Sequence, residues 1–315
     1  MTTHIPAMLN EMVGMIKPRD GAIYLDGTFG GGGYSRALLD AANCRVLAID
    51  RDPSAVADGQ ALAACSGGRL EVIAGRFGDA CRLLAAHSIE SVDGFTLDLG
   101  VSSVQLDDPA RGFSFQTDGP LDMRMESTGR SAAEVVNSMN ETGLARLFKD
   151  LGDERRARQV AKAIVERRSH GPITRTSELA DLIRGKVRRS ADGLDPASRT
   201  FLALRIYVND ELGEIDRGLD AAERLLSAGG RLVVIAFHSL EDRRVKRFFE
   251  SRCGRAPRPS RHQPAAEETS PPNFKLLTPK AVVPQDAEVL VNSRARSARL
   301  RAAERTEAPV WPKAA

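Results

Sequence analysis

Ala22-Ile23-Tyr24-Leu25-Asp26-Gly27-Thr28-Phe29-Gly30-Gly31-Gly32-Gly33 decides how the chain reads. A short apolar run ends on a carboxylate, a glycine turn follows, and residues 35–42 continue with helical spacing: strand, glycine loop, helix. Working outward, residues 45–50 predict a second buried strand, again closed by a carboxylate, with a helix over 55–65. A strand near 70–74, a helix around 79–87 and a strand over 94–98 continue the alternation. Apolar strands alternating with helices imply a parallel sheet with crossover helices on both faces.

Between about 107 and 206 the alternation stops. That stretch is rich in Arg, Ala and Leu and contains no convincing buried strand. The pattern resumes with a helix over 209–227, a stop at Gly229-Gly230, a strand over 231–237 and a helix from 240 to about 251. The expected architecture is therefore α/β: a Rossmann-like domain made of residues 1–106 and 209–315, with a helical domain, 107–208, inserted. Residues 253–272 are rich in Pro, Arg and Ser and read as a loop or linker. Residues 287–291 read as the last strand, and the Arg/Ala-rich segment beyond Asn292 as partly ordered at best.

The chain has 315 residues, 42% apolar and 28% charged, with four scattered cysteines, Cys44, Cys65, Cys81 and Cys253. No run approaches ~18 apolar residues, which excludes a membrane-spanning helix. Met1–Pro6 has neither the basic nor the apolar region of a secretory signal. The absence of a C-x-x-C pair argues against a disulfide framework and a zinc site, and fits the cytoplasm. Aromatics at 5% disfavour a base-stacking sheet. The net charge of +3 is uneven: −7 over residues 1–150, +6 over 151–190, −5 over 191–242 and +9 over 243–315. Each basic block alone reads equally well as a solvated helix face; the pair points to a polyanionic partner such as nucleic acid.

Open α/β sheets bind ligands beyond the carboxyl ends of their strands. Here that edge carries Asp26, the glycine run, Asp50, Phe77 and Asp98. The four consecutive glycines clear side chains from the backbone. The dinucleotide pattern G-x-G-x-x-G does not fit, because Ser35 or Arg36 stands at the third glycine, and no phosphate loop is present. A pyrophosphate sits poorly beside Asp26, whereas a zwitterion with a sulfonium sits well. Asp50 suits the two hydroxyls of a ribose, while Asp52, followed by Pro53, reads as a helix N-cap. Together these features favour S-adenosylmethionine over NAD.

The fourth strand runs into Asp98-Leu99-Gly100-Val101-Ser102-Ser103-Val104-Gln105. Methyl transfer from a sulfonium is an in-line displacement, so the protein chiefly positions the reactants. An exocyclic amine has a lone pair delocalised into its ring, and an acceptor holding its hydrogens favours a more pyramidal nitrogen. Asp98 is placed for this, with Ser102 or Ser103 assisting. No cysteine lies nearby, which argues against carbon-5 methylation of pyrimidines. The charged loops Asp107–Phe113 and Leu121–Met125 read either as a substrate wall or as a salt-bridged connection. His238-Ser239 lacks a G-x-S-x-G elbow, and His238 reads as a hydrogen-bonding wall residue rather than a general base.

Asp26-Gly27-Thr28-Phe29-Gly30, Asp50-Arg51-Asp52-Pro53, Asp98-Leu99-Gly100-Val101-Ser102-Ser103, Arg111-Gly112-Phe113-Ser114-Phe115 and Leu121-Asp122-Met123-Arg124-Met125 recur together in one family. So do Arg205-Ile206-Tyr207-Val208-Asn209, Phe237-His238-Ser239-Leu240-Glu241-Asp242-Arg243 and Asn292-Ser293-Arg294-Ala295-Arg296-Ser297. From about His4 to Arg301 the chain resembles the ribosomal RNA small subunit methyltransferase H, or MraW, family. The resemblance implies a cytoplasmic enzyme that uses S-adenosylmethionine. Its expected reaction is N4-methylation of a cytidine in 16S rRNA of the small ribosomal subunit, at the decoding centre near the P site.

Carried over by position, the cofactor contacts fall on Gly32, Gly33, Tyr34, Asp50, Phe77, Asp98 and Gln105, with Phe77 packed on the adenine. Asp98 thus has two candidate roles, cofactor contact and amine acceptor. Two departures stand out: Tyr34 occupies a position usually held by His, and Val104 one usually held by Pro. Three readings stay open. The first is an RNA cytidine methyltransferase, its base extruded into the pocket and its phosphates held by Arg155, Arg156, Arg188 and Arg189. The second is a methyltransferase for DNA or a protein amine, and the third a cofactor-holding assembly factor without turnover. The helical insert also offers a surface for a homodimer.

Overall fold

The computed structural model describes residues 6–188, 193–255 and 270–312. Contacts divide the chain into one unit of Met1–Gly100 with Leu212–Ala315 and a second of Val101–Glu211; the sequence reading set these boundaries at 106/107 and 208/209.

The first unit opens with α1 (Leu9–Ile16), β1 (Ile23–Asp26), α2 (Gly33–Ala41), β2 (Arg45–Asp50), α3 (Pro53–Ala64), β3 (Leu70–Ala74), α4 (Ala80–Ala86) and β4 (Val92–Asp98). Asp52 caps α3, accepting from the Ser54 N–H at 3.0 Å, with Pro53 at the first helical position. A proline costs nothing there, because that N–H has no partner within the helix.

The second unit follows: α5 (Ser103–Asp107), α6 (Ala132–Ser138), α7 (Glu141–Gly152), α8 (Ala157–Arg168), α9 (Thr176–Lys186) and α10 (Ser198–Asn209). Its helices bury Leu144, Phe148, Val160, Ile164, Leu179, Ile183 and Leu204 against one another. The three- and four-residue spacing along α7, from Leu144 to Leu147 and Phe148, is the pattern that buries one helix face. The charged loop between α5 and α6 closes on itself. Arg124 clasps Asp122 at 2.8 and 2.7 Å, and Arg111 donates to the carbonyls of Arg124 and Met125. These bonds follow the salt-bridged alternative.

The first unit resumes at Leu212, within α11 (Glu211–Leu225), and continues with β5 (Leu226–Ala236), α12 (Ser239–Arg252), β6 (Phe274–Leu276), α13 (Asp286–Val291) and β7 (Arg299–Arg305). The sheet order is β3-β2-β1-β4-β5-β7-β6. Its first five strands are parallel, and β7 runs antiparallel to both β5 and β6, so the sheet is mixed. Val46, Leu47, Ala48 and Ile49 of β2, and Phe95 and Leu97 of β4, are fully buried. Strands covered on both faces need such unbroken apolar runs.

Three expectations are corrected. Residues 287–291 form no strand; they belong to α13, and Leu290 and Val291 are 86% and 76% exposed. A short apolar run does not distinguish strand from helix, and Asp286 and Glu288 in the first turn suit a helix N-terminus. The last strand is instead β7, within the segment expected to be poorly ordered. Its alternate residues Leu300 and Ala302 are buried, while Arg301 pairs with Asp242 at 2.7 Å. Finally, Gly229-Gly230 does not precede the fifth strand but lies inside it, near a register shift between Val92 and Gly94. Of the segment read as a loop or linker, residues 256–269 lie outside the described residues.

Candidate active site

The carboxyl edge of the sheet is built by short side chains tying strand ends to the glycine loop. Asp26 at the end of β1 is fully buried; its Oδ2 accepts from Ser35 Oγ at 2.7 Å and its Oδ1 from the Thr28 N–H at 3.2 Å. Thr28 Oγ1 accepts from the Asp98 N–H at 2.7 Å, linking the loop to β4. Asp50 at the end of β2 accepts from the N–H groups of Gly30 and Asp52 at 2.7 and 2.8 Å. The loop is thereby held at three strand ends before any ligand arrives.

The glycines divide into two kinds. Gly32 has φ +73°, and a Cβ there would stand 2.7 Å from the Phe29 ring; at Gly33 it would stand 2.1 Å from Pro6 Cγ. Both therefore serve the chain's own packing. Gly31 alone of the three has open space, with nothing within 4 Å. Tyr34 is buried, and its hydroxyl donates to the Ala7 carbonyl, fastening the segment ahead of α1. The Met8 N–H donates to Glu288 Oε1 at 2.6 Å. Burial, reinforced by the charges of Asp98, Asp26 and Glu288, pushes the Tyr34 phenol well above its ordinary range.

Asp98 ends β4, and its Oδ1 is buried with no hydrogen-bond partner. Burial, then the Asp26 and Glu241 charges, hold its carboxyl well above the usual carboxylate range; a hydrogen bond with Tyr34 opposes them. Burial likewise pushes Asp26 up to about 6, against the bonds from Ser35 and Thr28. It raises Asp50 too, against bonds from the Asp52 and Gly30 backbone. Glu241, fully buried in the first turn of α12, accepts from the N–H groups of Phe237 and His238 at 2.7 and 3.2 Å. Its other oxygen lies 3.1 Å from His238 Nε2, while His238 Nδ1 is buried and makes no hydrogen bond.

Phe77 lies in the turn after β3, half-buried, with its ring against α11, where a Cβ at Gly218 would come within 2.3 Å. Gly78 beside it donates its N–H to Glu214 Oε1 at 2.7 Å. Ser102 and Gln105 belong to the second unit. There they form a capping box at the start of α5: Ser102 Oγ accepts from the Gln105 N–H at 3.2 Å and Gln105 Oε1 from the Ser102 N–H at 3.0 Å. The first unit thus gathers Gly32, Gly33, Tyr34, Asp50 and Asp98 at one edge, together with Asp26. Sequence reasoning missed Glu241, Thr28 and Ser35 as members. For Glu241 a signal existed, since it stands three residues after His238, the reciprocal capping distance.

Asp26, Asp50 and Asp98 have no Lys or Arg partner among the described residues. A buried carboxylate without a cation is costly, and a cationic or amino group placed against it lowers that cost. The orphaned Asp98 oxygen, the open backbone at Gly31 and the Asp50 carboxylate at the next strand end suit a nucleoside that carries a cationic sulfonium.

This sheet, with ligand-suited groups at its carboxyl edge, is a Rossmann-like α/β domain. The model of the MraW methylase family matches residues 1–306. Curated relatives named ribosomal RNA small subunit methyltransferase H agree with it along their length. The protein from Rhodospirillum rubrum is 57% identical over 315 residues, covering 99% of this chain and 97% of that protein. Those from Paramagnetospirillum magneticum and Rhodospirillum centenum are 58% and 59% identical, covering 98% and 97% of this chain and 97% and 93% of theirs. The chain belongs to the MraW methylase family; it is a methyltransferase.

Proposed function

We propose that this chain methylates N4 of a cytidine in 16S rRNA of the small ribosomal subunit, at the decoding centre near the P site. One observation carries the chemistry: the buried, unpartnered Oδ1 of Asp98 at the carboxyl end of β4. The printed names of the relatives support the substrate. No helix among the described residues is long and apolar enough to cross a membrane, in keeping with a ribosomal substrate in the cytoplasm.

S-adenosylmethionine, when bound, supplies an electrophilic methyl group on a sulfonium. Asp50 would receive the ribose hydroxyls and Phe77 would pack on the adenine, with the backbone at Gly32, Gly33 and Tyr34 completing the cradle within the first unit. Asp98 Oδ1 accepts an N–H of the cytosine amine and draws the nitrogen lone pair out of the ring. Transfer would break the sulfur–methyl bond as the N–C bond forms, and Asp98 would take the proton that the amine nitrogen gives up, its burial favouring the neutral carboxyl. The base is extruded to reach this edge, and exposed Arg155, Arg156 and Arg188 contact phosphates. Arg189, assigned with them from sequence, lies outside the described residues.

The test incubates labelled S-adenosylmethionine and the protein with small ribosomal subunits that lack the modification, followed by nucleoside mass analysis. N4-methylated cytidine at one site is the expected result. Transfer only to DNA or to a protein amine would replace the substrate, and cofactor binding without transfer to any acceptor would leave an assembly role instead.

A further inference from the structure

The segment Asn292-Ser293-Arg294-Ala295-Arg296-Ser297-Ala298-Arg299-Leu300-Arg301-Ala302 carries four arginines and no acidic residue. Its backbone is well anchored. Ala295, Ala298 and Leu300 are 0%, 1% and 0% exposed and sit in the core that includes Met8 and Met12. The Ala298 N–H donates to the Ala295 carbonyl at 2.8 Å, and Leu300 exchanges backbone hydrogen bonds with Val282 at 2.9 Å. Small buried residues thus alternate with arginines that point outward from a backbone with little freedom.

Register places this segment. Arg299 pairs with Ala236, the last residue of β5, so the start of β7 lies at the carboxyl edge of the parallel strands, with β5 between it and Asp98 on β4. Side chains two residues apart on a strand share a face, and Arg301 reaches Asp242 in the first turn of α12. Arg299 therefore projects on the α12 side, toward the end of the helix that begins at Ser239. Next to Asp242 on that helix is Arg243, exposed, with Arg247 one turn further on.

Their charges are not consumed within the fold. The side chains of Arg243, Arg296 and Arg299 are exposed and form no ion pair or hydrogen bond among the described residues. The neighbouring cations behave differently: Arg301 holds Asp242, Arg244 holds Asp216 and Lys246 holds Glu250. The acids beside the patch are also engaged, Asp242 by Arg301 and Glu241 by the backbone of Phe237 and His238. Three unneutralised guanidinium groups on an anchored backbone suit the phosphates of a polynucleotide.

We propose that Arg243, Arg296 and Arg299 form a phosphate rail at the carboxyl edge of the sheet, gripping the RNA backbone beside the nucleotide presented to Asp98. This rests on the reading of the substrate as RNA. Phosphate contacts of this kind fix register and carry no base preference, so the rail adds affinity and position while Asp98 acts on the amine.

The test compares the full chain with the triple variant R243Q/R296Q/R299Q by two routes. One is binding of a fluorescent 16S decoding-region RNA across a salt series; the other is methyl transfer to unmethylated small subunits. Each lost phosphate contact on single-stranded RNA removes roughly 0.7 from the slope of log affinity against log salt, so the triple variant loses about 2. KM for subunits is expected to rise about tenfold or more. Cofactor affinity and the rate at saturating subunits should stay within about twofold. An unchanged slope and KM with intact cofactor affinity would overturn the rail.

If the triple variant no longer binds cofactor, R296Q alone is read for its loss of about 0.7 in slope, and no loss there overturns the proposal equally. The lysine triple variant, which keeps the charge, should retain most of the slope. Wild-type protein that neither methylates subunits nor binds RNA in a salt-dependent way would fail the functional reading itself. A steep wild-type slope untouched by the substitutions fails the rail alone.

Discussion

Carboxylates in the helical unit and at the carboxyl edge of the sheet meet opposite fates. In the helical unit they find arginines: Asp122 with Arg124, Glu178 with Arg167, Asp118 with Arg175, Asp195 with Arg184 and Glu211 with Arg205. The guanidinium groups beside Asp118 and Asp122 hold those carboxyls below the usual range. At the sheet edge, Asp26, Asp50 and Asp98 have only backbone N–H groups, hydroxyls or nothing, and burial pushes all three upward. Paired charges hold a scaffold together. Buried charges with no cation carry a standing cost, and a ligand with the complementary charge removes it.

Asp98→Ala is expected to have the largest consequence. Methyl transfer should fall by about 10²-fold or more, with RNA affinity unchanged and cofactor affinity within a few-fold. Loss of cofactor binding instead would assign Asp98 to the cofactor rather than to the amine. In the helical unit, Arg205→Ala leaves the Glu211 carboxylate, 7% exposed, without its cation. That should cost about 3 kcal/mol of stability, read by chemical denaturation. Asp118→Asn, at an exposed pair, should leave the melting temperature where it is, since screened surface pairs contribute little. A large loss there would mean that the helical unit's ion pairs do more than the comparison allows.

Much of the sheet edge was legible from the sequence because each element there is short, apolar and punctuated. The stretch Ala22–Gly33 announces strand and loop, Asp52-Pro53 announces the cap, and the carboxylates at strand ends announce the ligand. The C-terminal part was not legible, for two physical reasons. Leu290 and Val291 are apolar yet exposed on α13, so their hydrophobicity misleads. Arg299–Arg305 is charged yet forms an interior strand of the sheet, because its arginines find local acceptors. Arg301 pairs with Asp242, and Arg305 donates to the carbonyls of Glu223, Asn273, Thr306 and Ala308. The glycine run was read as cleared for a ligand, but Gly32 and Gly33 answer to Phe29 and Pro6, contacts that no local pattern reveals.

The claim that uncompensated carboxyls wait for a cation is tested most directly by calorimetric titration of the protein with S-adenosylmethionine near pH 6. The titration is run in two buffers of different ionisation enthalpy. Burial has raised the Asp26 carboxyl to about 6, so part of it is neutral in the free protein near that pH. A bound cation favours the ionised forms, so binding should release protons, and affinity should strengthen as pH rises through about 6. Proton release that shrinks above that range is the expected result. Binding heats independent of buffer, or proton uptake, would contradict the account.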